Sequence, residues 1–322
     1  MPEAARRTVL IAIGGNALVH EGEAGSLVLQ SDRARTLADS IVDLVDDGWD
    51  PVITHGNGPQ VGFIMRRGEL IAADAEAEQL PDLPLWLAVA DSQGGVGHLI
   101  AAALHSSLAG RPDARPVAAV LTHTVVEADD PAFDRPTKPI GGAMDAATAA
   151  RRVAESSWDV VETGGGLFRR VVASPLPRRI LEVPAIRSLA GTGCIVIAAG
   201  GGGIPVVERD GRYAPVDAVV DKDRASALLA TSVGTDVLVL VTGVPQVCVD
   251  FGGPKERALH SVSAKEMALL ACEGHFPNGS MGPKVESALT FLAGGGSTVI
   301  ITSIDLIGEA LAGRAGTRIT AG

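Results

Sequence analysis

"TVLIAIGGN", residues 8 to 16, holds the first clue to the architecture. Its first six positions form a continuous apolar run. A strand with one wet face alternates apolar and polar residues, so an unbroken run belongs to a strand covered on both sides. The run stops at Gly14-Gly15-Asn16. The same pattern recurs at 51–54 (PVIT), 116–122 (PVAAVLT), 194–199 (CIVIAA), 236–242 (DVLVLVT) and 298–302 (TVIIT). Between these runs the spacing predicts helices over 31–47, 59–70, 84–108, 222–233, 263–272, 283–293 and 304–312. Strands alternating with helices make an α/β protein with a mainly parallel sheet.

One segment breaks the rhythm. From about Glu127 to Ser174 the chain carries "DDPAFDRPTKPIGG", a charged helix-like piece around 144–156, and "VVETGGGLFRRVVASPLP". Proline and glycine punctuation with short β fragments predicts an inserted, protruding subdomain or lid over 127–174, within one domain that spans 1–322.

Composition excludes several classes of function. The 322 residues suffice for a large core, and 46% of them are apolar. A net charge of -11 and an aromatic content of 3% leave neither a basic face nor stacking platforms for nucleic acid. Cys194, Cys248 and Cys272 are too few and too irregular for a disulfide frame or a zinc site, and they suit a reducing cytoplasm. The uncharged stretch from Ser188 to Val207 is interrupted by "GTG" and four glycines, so no membrane span is expected. Arg6-Arg7 ahead of "TVLIAIGG" is followed by too short an apolar run for a signal peptide.

The residues at the end of each strand matter most, because ligands of open α/β sheets bind beyond the carboxyl ends of the strands. The first strand ends in Gly14-Gly15-Asn16, the second in His55-Gly56-Asn57-Gly58, and the 194–199 run in Gly200 to Gly203. Glycine lets backbone N–H groups approach an anion, and a helix start behind it adds its dipole. A single Gly-Gly turn is commonly no more than a tight turn; three on strand exits predict an anion site. Neither the G-x-x-x-x-G-K-[ST] loop nor a G-x-G-x-x-G fingerprint after the first strand occurs, and no G-x-S-x-G elbow is present. Phosphate handling of another design remains.

Lysine is scarce: of 27 Lys and Arg residues only five are lysine. Lys255 and Lys265 sit in polar surroundings and read as solvated surface. Lys284 lies in "GSMGPKVE", behind Pro283 and ahead of the helical stripe Val285, Ala288, Leu289 and Leu292. That end of a helix already carries positive charge, so a cation there calls for an anion beside it. Lys222 lies between Asp221 and Asp223 at the start of another predicted helix, a pattern that fits a plain helix cap with an ion pair as well as a lysine held for phosphate. Lys138 lies in "RPTKPIGG". An ammonium is a compact point charge able to follow a moving phosphoryl group.

"IAIGGNAL", "THGNGPQVG", "PTKPIG", "VVASPLP", "AAGGGGIPVV", "VVDKDRASALLA", "LVTGV", "GHFPNGSMGPKVESALTFL" and "IITS" occur in this order along nearly the whole chain. In these motifs the chain resembles the carbamate kinases of the amino-acid kinase superfamily. The resemblance implies a three-layer αβα sandwich with a small protruding lid subdomain, in a cytoplasmic homodimer of arginine metabolism. It implies transfer of phosphate between ATP, with Mg2+, and carbamate to give ADP and carbamoyl phosphate, often running physiologically toward ATP. It places Gly14, Gly15, Asn16, Gly56, Asn57 and Gly58 on the phosphoryl group and carbamate. Lys222 would neutralise phosphoryl oxygens, Asp223 would orient the lysines, and Lys284 would touch the β and γ phosphates. Lys138 would close over the acyl phosphate. The nucleotide would lie along Thr242, Gly243 and Val244 and along Met281, Gly282 and Pro283, and Mg2+ would come with the nucleotide rather than on protein ligands.

The sequence departs from the family pattern at two places: Pro245-Gln246 comes after the Thr-Gly-Val turn, and His98 stands where many members have tyrosine. Two other readings of the same residues are a related kinase acting on another small carboxylate or phosphorylated acid, and a non-catalytic nucleotide or metabolite sensor.

Overall fold

In β1 (Arg7–Ile13) successive side chains face opposite ways. Leu10 and Ala12 join one buried cluster, and Val9, Ile11 and Ile13 join another. Both faces are therefore covered, which is why the run carries no polar alternation. Each fully buried aliphatic side chain contributes about 1.5–3 kcal/mol. The computed structural model describes residues 7–14, 18–19, 25–72, 81, 83–156, 158–277 and 281–322.

The next strands in the chain are β2 (Trp49–His55), β3 (Val117–Ala119), β4 (His123–Val125), β5 (Lys138–Asp145), β6 (Asp159–Gly164), β7 (Leu167–Val172), β8 (Arg179–Ile180) and β9 (Ile195–Ile197). Further along come β10 (Ile204–Arg209), β11 (Arg212–Pro215), β12 (Val237–Val241), β13 (Val247–Val249), β14 (Arg257–Leu259), β15 (Ser261–Ser263), β16 (Thr298–Thr302) and β17 (Thr317–Thr320). The helices are α1 (Leu27–Asp46), α2 (Gly58–Ala72), α3 (Leu85–Ser107), α4 (Ala146–Ser156), α5 (Val183–Gly191), α6 (Lys222–Val233), α7 (Ala264–Cys272), α8 (Met281–Ala293) and α9 (Ile307–Leu311).

The central sheet has eight strands in the order β15-β17-β16-β12-β1-β2-β9-β3. From β16 to β3 every pairing is parallel. Only β17 against β16 is antiparallel, with β15 parallel to β17. One face buries Leu37 and Ile41 of α1, Ile100 of α3 and Ile307 of α9. The other buries Ile186 of α5, Leu229 of α6, Met267 of α7 and Phe291 of α8. The expected α/β architecture with a mainly parallel sheet is present, as three layers.

Three local expectations change. The run at 116–122 yields only the short β3, and β4 begins just beyond it in a second sheet, ordered β11-β10-β4-β8. Thr122 takes the crossing, its N–H donating to Gln93 Oε1 at 2.6 Å and its hydroxyl to the Val120 carbonyl at 2.8 Å. Helix α1 begins four residues before its expected start, because Leu27, Val28 and Leu29 are exposed and do not follow the buried stripe. Helix α5, with proline in its first turn, lies outside the sequence-based expectation.

Within 127–174 the chain forms a small antiparallel sheet, β5-β7-β6, with α4 beside it. It rests on α2 where Gly62 meets Gly141; a Cβ on Gly62 would stand 2.2 Å from the Gly141 Cα. Ile140 of β5 joins Val61, Leu85 and Val89 in a satellite core. Among the described residues no helix is long and apolar enough to cross a membrane.

Candidate active site

Parallel pairing brings the strand exits to one edge. Ile13 lies opposite His55, Ile53 opposite Ile197, and Ala12 opposite Leu240. The Gly56 N–H donates to the Ile13 carbonyl at 2.9 Å, joining the exits of β1 and β2. Gly14, Gly56, Asn57 and Gly58 therefore stand together with the Gly200–Gly203 turn and with Thr242, Gly243 and Val244 after β12. Gly15 and Asn16 lie outside the described residues.

The glycine turn after β9 is compressed against its neighbours. Ala199 and Gly201 to Gly203 all have positive φ. A Cβ on Gly201 would fall 2.1 Å from Asn57 Nδ2, and one on Gly200 2.3 Å from His55 Nε2. Only glycine lets the turn approach these two side chains. Asn57 is buried, and its amide donates to Ser92 Oγ at 2.7 Å. His55 is also buried; burial lowers its pKa from an ordinary 6.5 to about 4, with the Gly56 carbonyl opposing and the charge of Lys222 assisting.

Lys222 opens α6. Asp221 caps that helix, its Oδ1 accepting the N–H groups of Asp223 at 2.9 Å and Arg224 at 3.3 Å. The Ser226 hydroxyl is bonded to Thr54 Oγ1 at 2.6 Å, which fixes this first turn against the end of β2. The Lys222 ammonium lies 2.7 Å from Asp223 Oδ1.

Lys284 comes from the first turn of α8, whose start is folded back by the Gly282 N–H donating to the Pro277 carbonyl at 2.9 Å. Its ammonium lies 3.0 Å from Asp223 Oδ2. One carboxylate, 5% exposed, thus holds two ammonium groups. Met281 and Pro283 belong to the same first turn of α8.

Lys138, the first residue of β5, bonds Asp221 Oδ2 rather than Asp223. Asp221 therefore does two things at once: it caps α6 and it anchors the small sheet's lysine. The helix-cap reading of this residue is correct and incomplete. Its position at the cap was legible; its second bond, to a residue 83 positions away, had no local signal.

Electrostatics track burial and pairing. Burial acts most strongly on Asp223, against ionisation, but Lys222 and Lys284 together hold its carboxyl below the usual value. Burial likewise opposes ionisation of Asp221, yet Lys138 and Lys222 hold it well below the carboxylate range. Burial pushes Lys222 below the ordinary lysine value, with Asp223 pulling it up and Lys284 pushing it down. Two ammonium groups around one carboxylate leave an excess positive charge in a nearly closed place, which an anion would neutralise.

Thr242 donates its N–H to the Thr302 carbonyl at 2.8 Å, and no hydrogen bond among the described residues ties the Thr242–Val244 turn to the lysines. They share only the sheet edge. Gln246 is used structurally, donating to the Gly316 carbonyl at 3.1 Å and lying 2.7 Å from His260 Nδ1. His98 is exposed on α3. Ser92 and Gln93 also shape this edge, and nothing in their immediate sequence marks them for it.

A parallel sheet with this edge of glycine turns and ammonium groups places the chain by class: it belongs to the amino acid kinase family, whose model matches residues 7–303. Within that family it stands among the carbamate kinases. It is 45% identical over 316 residues to the carbamate kinase-like protein YahI of Escherichia coli K12, covering 98% of this chain and 99% of that one. It is 41% identical over 314 residues to the carbamate kinase of Thermococcus kodakarensis, covering 97% and 99%. The carbamate kinase of Giardia lamblia bound to AMP-PNP has the same fold, with a TM-score of 0.89, 35% identity and 99% of both chains covered.

Proposed function

We propose that this chain is an ATP-dependent carbamate kinase, moving a phosphoryl group reversibly between ATP and carbamate. The observation that carries the reading is the Asp223 carboxylate shared by Lys222 and Lys284 beside the glycine exits of β1, β2 and β9. In the forward direction a carbamate oxygen bonds to the γ-phosphorus as the bond from phosphorus to the β,γ-bridging oxygen breaks. The products are carbamoyl phosphate and ADP. Carbamate already carries its nucleophilic oxygen as an anion, so no general base is needed.

Such a transfer has a loose transition state, and the protein's task is alignment and charge balance. Lys222 would track the equatorial oxygens of the moving group, and Lys284 would sit on the β and γ phosphates. Asp223 would keep both ammonium groups aimed until phosphate takes its place as their partner. Lys138, carried on the small sheet as on a lid, would close over the acyl phosphate from its resting bond with Asp221. The turns at Gly14-Gly15-Asn16 and Gly56-Asn57-Gly58 would hold the phosphoryl group and carbamate. Thr242, Gly243, Val244, Met281 and Pro283 would line the nucleotide.

The AMP-PNP complex of the Giardia relative supports nucleotide use at this fold. Mg2+ would enter on the nucleotide's own phosphates, because both carboxylates of the cluster are already engaged by lysines. The reading extends to a homodimer in a reducing cytoplasm, running toward ATP. The test is ATP formation from ADP and carbamoyl phosphate. Absence of ATP there, together with turnover of another small carboxylate, would overturn the assignment.

A further inference from the structure

The proposed reaction leaves a second group of cations without a use. A cavity of about 360 Å3 opens between α2 and the small sheet with α4, within the span of about 300–1,000 Å3 usual for small-molecule sites. Four arginines line it: Arg66 from α2, Arg151 and Arg152 from α4, and Arg170 from β7. Among the described residues one carboxylate lines it, Glu69. This concentration of positive charge occurs in a chain whose net charge is -11.

Glu69 pairs with three of the four. It lies 3.2 Å from Arg66, 3.5 Å from Arg152 and 4.0 Å from Arg170, so only the first pair is within hydrogen-bond distance. Arg151 makes no direct ion pair among the described residues, its charge acting on Asp145 from further away. Trp158 lies beneath two of the guanidinium groups, 4.6 Å from Arg170 and 5.2 Å from Arg152 at the ring centroid. Phe63, Met65 and Met144 give the rest of the cavity an apolar lining. Burial weakens the protonated form of Arg170, with Glu69, Asp217 and Asp159 opposing.

We infer that this cavity binds a small organic anion, its carboxylate or phosphate against Arg66, Arg151, Arg152 and Arg170 and its apolar body against Trp158 and the methionines. Guanidinium is weakly hydrated and bidentate, which suits a planar or tetrahedral oxyanion entering from water. The walls come from α2 on one side and from α4 and β7 on the other, so the occupant bridges the small sheet and the main sheet's helical layer. Lys138 stands at the beginning of β5 and bonds Asp221, whereas β5 reaches the cavity through Ile140 to Met144. The two sites are therefore distinct.

The test titrates the full chain with 8-anilinonaphthalene-1-sulfonate, an aromatic sulfonate of the inferred class, in the presence of saturating AMP-PNP to occupy the nucleotide site. One saturable site is expected, with affinity lowered about tenfold in R66Q and again in R151Q, the scale of one charge-assisted hydrogen bond each. R151K, which keeps the charge but not the bidentate fork, should fall between wild type and R151Q. Both arginines are exposed, so the variants keep the wild-type melting temperature. Octanoate and octyl phosphate should displace the dye while octanol does not, and their ranking tells carboxylate from phosphate. No saturable site, equal binding by R66Q and R151Q to that of wild type, or displacement by octanol as strong as by octanoate would overturn the inference. These readouts do not depend on carbamate turnover.

Discussion

Lys284 and Asp223 are 61 residues apart in sequence and 3.0 Å apart from ammonium to carboxylate. A lysine in the first turn of α8 opposes that helix's dipole, and Asp223 resolves the conflict from the first turn of α6, where a carboxylate is favoured. Lys222 shares the same carboxylate at 2.7 Å. The arrangement holds two cations on one counter-charge.

Replacing Lys222 by alanine should lower turnover by roughly two to three orders of magnitude, the usual cost of removing one preorganised charge-stabilising donor. Steady-state assay of ATP formation reads this directly. A rate close to wild type would remove Lys222 from the reaction.

Lys138→Ala should raise the KM for carbamoyl phosphate more than that for ADP, since its lysine is assigned to the acyl phosphate. Asp221→Asn, which frees Lys138 from its resting place, should shift the KM for carbamoyl phosphate the opposite way, and should also weaken the α6 cap, by about 1 kcal/mol or less because asparagine caps well. Equal losses for both substrates in Lys138→Ala would rule out that role.

His55 makes stability depend on pH in a definite window. Its pKa falls from 6.5 to about 4 on burial, so the unfolded chain binds the extra proton between those values. Stability is then full above about pH 6.5 and declines as the solution is acidified toward pH 4, by about 3 kcal/mol in all. Asp221 and Asp223, with lowered pKa values, lose their contributions below the ordinary carboxylate value, at still lower pH. Urea unfolding at pH 7 and pH 4.5 should show a smaller loss in His55→Gln than in wild type. Identical losses would assign the acid sensitivity to other groups.

Gly201→Ala should damage both stability and turnover, because the new methyl falls 2.1 Å from Asn57 Nδ2 at a φ of 64°. The expected cost is about 1–3 kcal/mol. Gly211→Ala is the control: its φ is 71°, but nothing lies within 4 Å of the added atom. It should cost only backbone strain and leave turnover intact. Equal effects of the two on turnover would mean that the approach to Asn57 has no part in the site.

Much of the fold was legible because its signals are local. A strand buried on both faces must be apolar at every position, so β1, β2, β12 and β16 can be recognised without knowing their neighbours. Three lysines stood out because the chain otherwise uses arginine. Strand β4 lies just past the run that makes β3 and was not expected, since the change of sheet at Thr122 depends on the side chain of Gln93, 29 residues earlier.

Residue order alone was enough for the mainly parallel α/β layering, the glycine exits, the helix starts that carry Lys222 and Lys284, and the family resemblance, all readable from short-range pattern and residue type. Long-range packing was needed to show that Asp223 serves two lysines, that Lys138 goes to Asp221, and that three arginines meet Glu69. Those pairings join residues from separate strands and helices, and which of them meet depends on strand order and helix packing, to which periodicity and turn chemistry are blind.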